Sequence, residues 1–167
     1  MSIFKCRYGD FSVPEKNDLI FNALREYGEW AQEELNLLER FVRSGDTVID
    51  AGAFIGTHAR AFSQMVGSQG VVHAFEPNDQ IYSELLKNVQ LASYSNIKTY
   101  QIALGACEQS MHLLQNKSQM NLGASSLSCD DRSVGIEIVR VQALDSFDFP
   151  LINFIKADVE GMEHKLS

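Results

Sequence analysis

Apolar and polar positions change period several times along this chain, and each change marks an element. Asp18 to Tyr27 places Leu19, Phe21, Ala23 and Leu24 in a short helix, after an irregular or short extended lead that runs to Pro14. Ala31, Leu35, Leu38 and Val42 then recur at the spacing of one helix face. Gln32, Glu33 and Glu39 fall outside that stripe, which predicts an amphipathic helix closed by Ser44-Gly45-Asp46. From there short apolar runs alternate with helical stretches. Strands are predicted at Val48–Ala51, Val71–Phe75 and Ile97–Leu104, with helices over Thr57–Val66 and from Asn78 through Ile81, Leu85, Leu86 and Val89. This order implies a mostly parallel sheet with right-handed crossovers. Beyond Gly105 the rhythm becomes all-strand. Met111–Leu114 and Ile136–Val141 flank a polar stretch, Asn121 to Leu127, that reads as an inserted hairpin or flap. A last strand spans Ile152–Ala157, with Pro150 ahead of it where no ladder N–H is needed. The expected organisation is a helical lead over residues 1–44 and a ligand-binding α/β domain over 45–167.

The chemistry concentrates where the first of these strands ends, in Val48-Ile49-Asp50-Ala51-Gly52-Ala53-Phe54-Ile55-Gly56-Thr57. Gly52 permits a sharp turn and close backbone approach to a ligand, and Gly56 lets the next helix pack tightly on its strand. Glu76 ends the following strand about 20 residues beyond Gly56, the offset at which a carboxylate takes ribose hydroxyls. Asp50 disfavours a dinucleotide, because a carboxylate there repels a pyrophosphate seeking the helix N-terminus. It suits a nucleoside that carries an ammonium group and no phosphate, as S-adenosylmethionine does. The structural alternative is that Asp50 only caps the helix.

Composition narrows the partners. The chain has 167 residues, 45% of them hydrophobic and 22% charged, and carries a net charge of −8. Such a balance opposes phosphate-backbone binding, so no nucleic-acid partner is expected. Cys6, Cys107 and Cys129 form no CxxC pair and read as reduced thiols, and no apolar run reaches membrane-spanning length. With no signal-peptide pattern at Met1–Arg7, a cytoplasmic location without a membrane partner is expected.

Asp158 supplies a second carboxylate at a strand end, in Asp158-Val159-Glu160-Gly161. Ligands of open α/β sheets bind outside the carboxyl ends of strands, so Asp50 and Asp158 are expected to face one crevice. Asp158 could also cap the helix that follows, with Glu160 and Glu163 at its positive end.

Taken together, Gly45 to Gly56, Ala74-Phe75-Glu76-Pro77-Asn78, Ile102-Ala103-Leu104-Gly105, Ser125-Ser126-Leu127, Leu144-Asp145-Ser146-Phe147 and Phe154 to Gly161 resemble the FkbM-type family of S-adenosylmethionine-dependent methyltransferases. Gly28-Glu29-Trp30 looks like the family's entry segment. The resemblance implies a class I methyltransferase fold, Rossmann-like and doubly wound. It places Asp50, Gly52, Phe54 and Gly56 around the methionine end of the cofactor, Glu76 and Pro77 at the ribose, Ala103 at the adenine edge and Asp158 beside sulfonium and acceptor. One departure is Phe54, where many members carry Asn.

The expected activity is O-methylation of a hydroxyl on a sugar or secondary metabolite. Asp158 is the first candidate for the base and His58 the second. No metal site is expected, since a lone Asp158 lacks partner ligands. Two other readings are a cofactor-binding domain without catalysis and a nicotinamide-dependent oxidoreductase, which Asp50 opposes. Only nine residues follow Asp158. The fold is therefore expected to be incomplete at its C-terminal end, with an apolar sheet edge left for a partner or a second copy to cover.

Overall fold

A computed structural model describes residues 2–115, 125–128 and 137–158. Its centre is a four-stranded parallel sheet in the order β10-β3-β4-β5, formed by Phe154–Ala157, Thr47–Ala51, Val71–Phe75 and Ile97–Tyr100. The order follows from the crossovers. β3 leads through α3 (Thr57–Val66) to β4, and β4 leads through α4 (Asp79–Gln90) to β5, each new strand lying parallel to its predecessor. The last strand, β10, returns to the other side of β3. Strand order thus reverses at β3, and a crevice opens there beyond the strand ends.

Both faces of the sheet are covered. Val48, Val72 and Ala74 pack with Ala59, Phe62 and Val66 of α3 and Leu85 of α4 on one side. Ile49, Ala51 and Phe75 meet Leu104, Tyr100, Phe147 and Phe149 on the other. The alternation within each strand sets which residues go to which side. By the same parity Asp50 and Lys156 lie on the helix-covered face.

Three elements depart from their sequence expectation. The lead before Pro14 is an antiparallel hairpin of β1 (Ser2–Cys6) and β2 (Gly9–Val13). It is not a separate layer. Phe11 and Val13 share a buried cluster with Phe21 and Leu24 of α1 (Leu19–Glu26) and with Phe54, Ile55 and Ile81. Second, the amphipathic helix is short. α2 covers Gln32–Leu38, and Val42 reaches the core from the turn beyond it. Third, the single strand expected over Ile97–Leu104 is two. β5 ends at Tyr100, and β6 (Ala103–Leu104) leaves the central sheet to pair with β9 (Glu137–Gln142). Apolar Ile97, Tyr100, Ile102 and Leu104 recur on both sides of the break and hide it, although the two halves join different sheets.

β6 and β9, with β7 (Gln109–Gln115) and β8 (Ser125–Ser128), make a second four-stranded sheet in the order β6-β9-β7-β8. The inserted hairpin is therefore part of a sheet with its own buried residues, Ala103, Met111 and Val141. Asn121–Ala124, and Val159 onward, lie outside the described residues. The second sheet is tied to the first by Glu137, whose oxygens accept from Asp79 N at 3.0 Å and Asn78 Nδ2 at 3.2 Å at the start of α4. A carboxylate there also meets the positive end of the helix dipole.

Arg60 and Asn88 join the hairpin to the rest. Arg60, 1% exposed in α3, donates to the carbonyls of Tyr8 at 2.8 Å, Leu91 at 3.0 Å and Asp10, and its guanidinium lies 4.5 Å from the Phe11 ring centre. Buried Asn88 exchanges hydrogen bonds with Ser12 and also donates to Ile55 O at 2.9 Å. Removing Arg60 takes away the buried donor shared by three part-buried carbonyls and its packing against Phe11. Each lost hydrogen bond to a charged group is worth roughly 1.5–3 kcal/mol before water replaces it. Arg60→Met should therefore cost about 3 kcal/mol or more in urea unfolding and expose the Cys6–Tyr8 turn to protease. A loss under about 0.5 kcal/mol would show that the hairpin is held by its apolar contacts alone.

Candidate functional site

The crevice is built from the ends of three adjacent strands. Backbone N–H groups of Gly52 and Ala53 both donate to Phe75 O, at 3.0 and 2.9 Å, so the glycine loop folds back over the end of β4. Gly52 has φ +78, and a Cβ there would collide with the carbonyl oxygen of Asp158. Asp158 N in turn donates to Ala51 O at 3.0 Å. The first loop and the end of β10 are thus in backbone contact at a point only glycine allows. Gly56 has φ +94, and a Cβ there would lie 2.9 Å from Leu85 Cδ1, which is why α3 can start so close to α4.

Phe54 adopts φ 53, a left-handed conformation uncommon outside glycine and asparagine. Its ring lies 5.5 Å from that of Phe21, stacked within the hairpin cluster. The ring therefore faces the core, and the group that Phe54 turns to the site is its N–H, which donates to Glu76 Oε2 at 3.0 Å.

Glu76 sits at the end of β4. Pro77, with no N–H of its own, turns the chain so that Asn78 N reaches Glu76 Oε1 at 2.9 Å. Both carboxylate oxygens thus accept a backbone N–H and keep lone pairs for a ligand. Glu76 is 8% exposed. Burial pushes its carboxyl up to about 7, against the hydrogen bonds from Asn78 and Phe54, which pull it down.

Asp50 is fully buried, and neither of its carboxylate oxygens accepts a well-aligned hydrogen bond among the described residues. Its neighbour across the register is Lys156 of β10, whose Nζ lies 3.3 Å from Asp50 Oδ1 and 3.7 Å from Asp158 Oδ2. Lys156 Nζ also donates to Gly52 O at 3.2 Å. Burial pulls the Lys156 ammonium down, but Asp50 and Asp158 more than offset it, and its pKa ends above the ordinary lysine value. It stays charged and is no candidate base. Asp158 is exposed at the lip of the crevice.

His58, in the first turn of α3, is 7% exposed, with Nε2 at 3.6 Å from Glu34 Oε1 of α2. Ala103 lies in β6, its side chain among Met111 and Val141. The structure thus gathers Asp50, Gly52, Glu76 and Asp158 at one crevice, with His58 near Glu34 at its helical side. No cluster of three or more metal-ligating side chains occurs among the described residues. Sequence reasoning missed Lys156, because a lone lysine inside a strand reads as a solvated position. Its one signal was parity, which puts it beside Asp50 as soon as β10 and β3 are paired.

The family model for the methyltransferase FkbM domain matches residues 50–166. No curated protein matches the chain. Solved structures similar to parts of it include a SAM-dependent methyltransferase from Aquifex aeolicus (25% identity, 40% of this chain and 36% of that one, TM-score 0.38). M. jannaschii TYW2 in complex with AdoMet matches at 21% identity over 59% of this chain and 41% of that one, TM-score 0.43. A SAM-dependent O-methyltransferase from Thermotoga maritima matches at 13% identity over 71% and 66%, TM-score 0.41. The chain thus spans about two fifths of the length of the first two.

The raised Glu76 pKa predicts a pH dependence. The unfolded carboxyl ionises near 4.5 while the folded one holds its proton to about 7, so folding takes up a proton between these values. Stability should fall as pH rises through that window, by on the order of 3 kcal/mol, and then level off. Buried His73, whose pKa burial and Lys98 lower to about 4, works in the opposite sense as pH rises from about 4 to 6.5. Denaturant titrations should therefore compare wild type with Glu76→Gln, where only the Glu76 contribution differs. A constant difference from pH 4.5 to 7 would contradict the assignment.

Proposed function

This chain belongs to the FkbM methyltransferase domain family, and from that premise we propose that it transfers a methyl group from S-adenosylmethionine to a hydroxyl group of a small molecule. The observation that carries the reading is Asp50, a buried carboxylate with no well-aligned donor, set beside the Gly52 turn. The Lys156 ammonium, 3.3 Å from Oδ1, balances its charge but leaves acceptor capacity on both oxygens, and the cofactor's α-ammonium is a donor that can use it. Glu76, hydrogen-bonded to the same loop, offers its remaining lone pairs to the ribose hydroxyls. Gly52 and Gly56 shape the loop by letting Asp158 and Leu85 pack against it. The family resemblance carries Pro77 and Ala103 to the adenosine side, although the Ala103 side chain is buried with Met111 and Val141.

Bound there, the cofactor supplies an electrophilic methyl on a cationic sulfonium. The residues of this chain then have separate tasks. Asp50 and Glu76 bind the two ends. Asp158, exposed at the crevice lip, takes the proton of the acceptor hydroxyl, with His58 as the second candidate. The acidic net charge of −8 favours a small neutral or cationic acceptor over a nucleic acid. No helix among the described residues is long and apolar enough to cross a membrane.

A second reading, a cofactor-binding domain without turnover of its own, is favoured by one feature. Among the described residues β10 pairs only with β3, and Ile155 on it is 48% exposed, so none of these residues walls the acceptor side there. A partner chain or a second copy would then cover that edge. A dinucleotide reading is disfavoured by Asp50.

The test is calorimetry with S-adenosylhomocysteine, which should bind, alongside NADH, which should not. Glu76→Ala should weaken the binding at least tenfold, because charge-assisted bonds to two hydroxyls are worth roughly 1.5–3 kcal/mol each before losses. Binding of NADH alone, or unchanged affinity in the variant, would overturn the reading. Turnover of labelled cofactor with candidate hydroxyl acceptors separates the enzyme from the non-catalytic domain.

A further inference from the structure

Asp50 explains one half of an amino-acid ligand and leaves the other half in difficulty. The methionine end of the proposed cofactor carries an α-carboxylate as well as an α-ammonium. That carboxylate would enter a crevice already holding Asp50, Asp158 and, above about pH 7, an ionised Glu76. Like charges at such range cost several kcal/mol unless a cation intervenes. Arg60, the buried arginine nearest in sequence, is committed to the carbonyls of Tyr8, Asp10 and Leu91. Lys156 is the cation at the crevice itself.

Its surroundings leave it capacity. An ammonium has three donors. At Lys156, Gly52 O takes one at 3.2 Å, while the carboxylates of Asp50 and Asp158 stand at the longer ion-pair distances of 3.3 and 3.7 Å. The side chain is 10% exposed, so water screens it little. Its stem leaves β10 opposite Asp50, in register, and its head reaches the Gly52 carbonyl, in the loop that would hold the ligand.

We propose that Lys156 binds the α-carboxylate of the cofactor's methionine end, exchanging its ion pair with Asp50 for one with the ligand as the α-ammonium pairs with Asp50. The proposal rests on the cofactor reading above. The exchange conserves charge: one cation and one anion from the protein meet one cation and one anion from the ligand. It also gives the Asp50–Lys156 pair a purpose in the free protein, since each charge holds the other until the zwitterion replaces both contacts. The protein would thereby select ligands that carry the complete amino acid.

Decarboxylated S-adenosylmethionine, which keeps the sulfonium, the ammonium and the adenosine but lacks the carboxylate, tests this by calorimetry against S-adenosylmethionine. Wild type should prefer the intact cofactor by about tenfold or more, the worth of a charge-assisted contact in a shielded site. In Lys156→Gln that preference should collapse to within about threefold, with the affinity for the decarboxylated ligand little changed; Lys156→Arg should retain it. Equal affinities in wild type would overturn the proposal whether or not the variants fold. So would a Lys156→Gln protein that weakens both ligands by the same factor, which is the signature of a purely structural ion pair. Failure of wild type to bind either ligand would overturn the cofactor reading and the proposal with it, whereas equal binding overturns the proposal alone.

Discussion

The buried charge pair between Asp50 and Lys156 is the constraint around which the strand ends of this protein are arranged. Neither group tolerates burial alone, since a lone charge in such a place costs several kcal/mol. Their partnership requires β10 to lie beside β3 in the observed register, and that placement makes β3 the point where strand order reverses. The crevice, the Gly52 turn and the backbone contact between Ala51 and Asp158 all follow from it. A hydrophobic pair in the same positions would hold the strands together equally well. What it could not do is leave a carboxylate whose oxygens lack aligned donors at the mouth of a glycine loop.

The N-terminal hairpin bears on the same loop from the other side. Phe54, in a left-handed conformation, stacks on Phe21, and the Ile55 carbonyl accepts from Asn88, which also grips Ser12. These contacts set the Phe54 N–H toward Glu76. The residues before Thr47 thus belong to the architecture of the site, and Glu34 among them meets His58 and acts electrostatically on Lys156.

The parts of this structure that were legible in the sequence are those written in local pattern. The strands β3 and β4, the helices α3 and α4 and the cap at Asn78 follow from period, glycine and short polar residues. Asp50 and Glu76 stood out because carboxylates at the ends of apolar runs are rare without a task. Features written in tertiary pairing were not legible. Arg60 looks like a solvated helix position until three carbonyls from two distant segments converge on it. The run Ile97–Leu104 gives no sign that its halves join different sheets. Phe54 reads as a site residue by position, yet its ring belongs to the core and only its N–H faces Glu76. Lys156 was hidden for a related reason: its partner lies more than a hundred residues earlier in the chain.

The central claim is that Asp50 and Glu76 receive the two ends of one cofactor in a single crevice at the β3 switch point. A crystal structure of the chain with S-adenosylhomocysteine tests it most directly. The account predicts the α-ammonium within hydrogen-bond distance of an Asp50 oxygen and both ribose hydroxyls on the Glu76 carboxylate, with the glycine loop between them. A ligand bound elsewhere, or one lying in the crevice with Asp50 still paired only to Lys156, would contradict it.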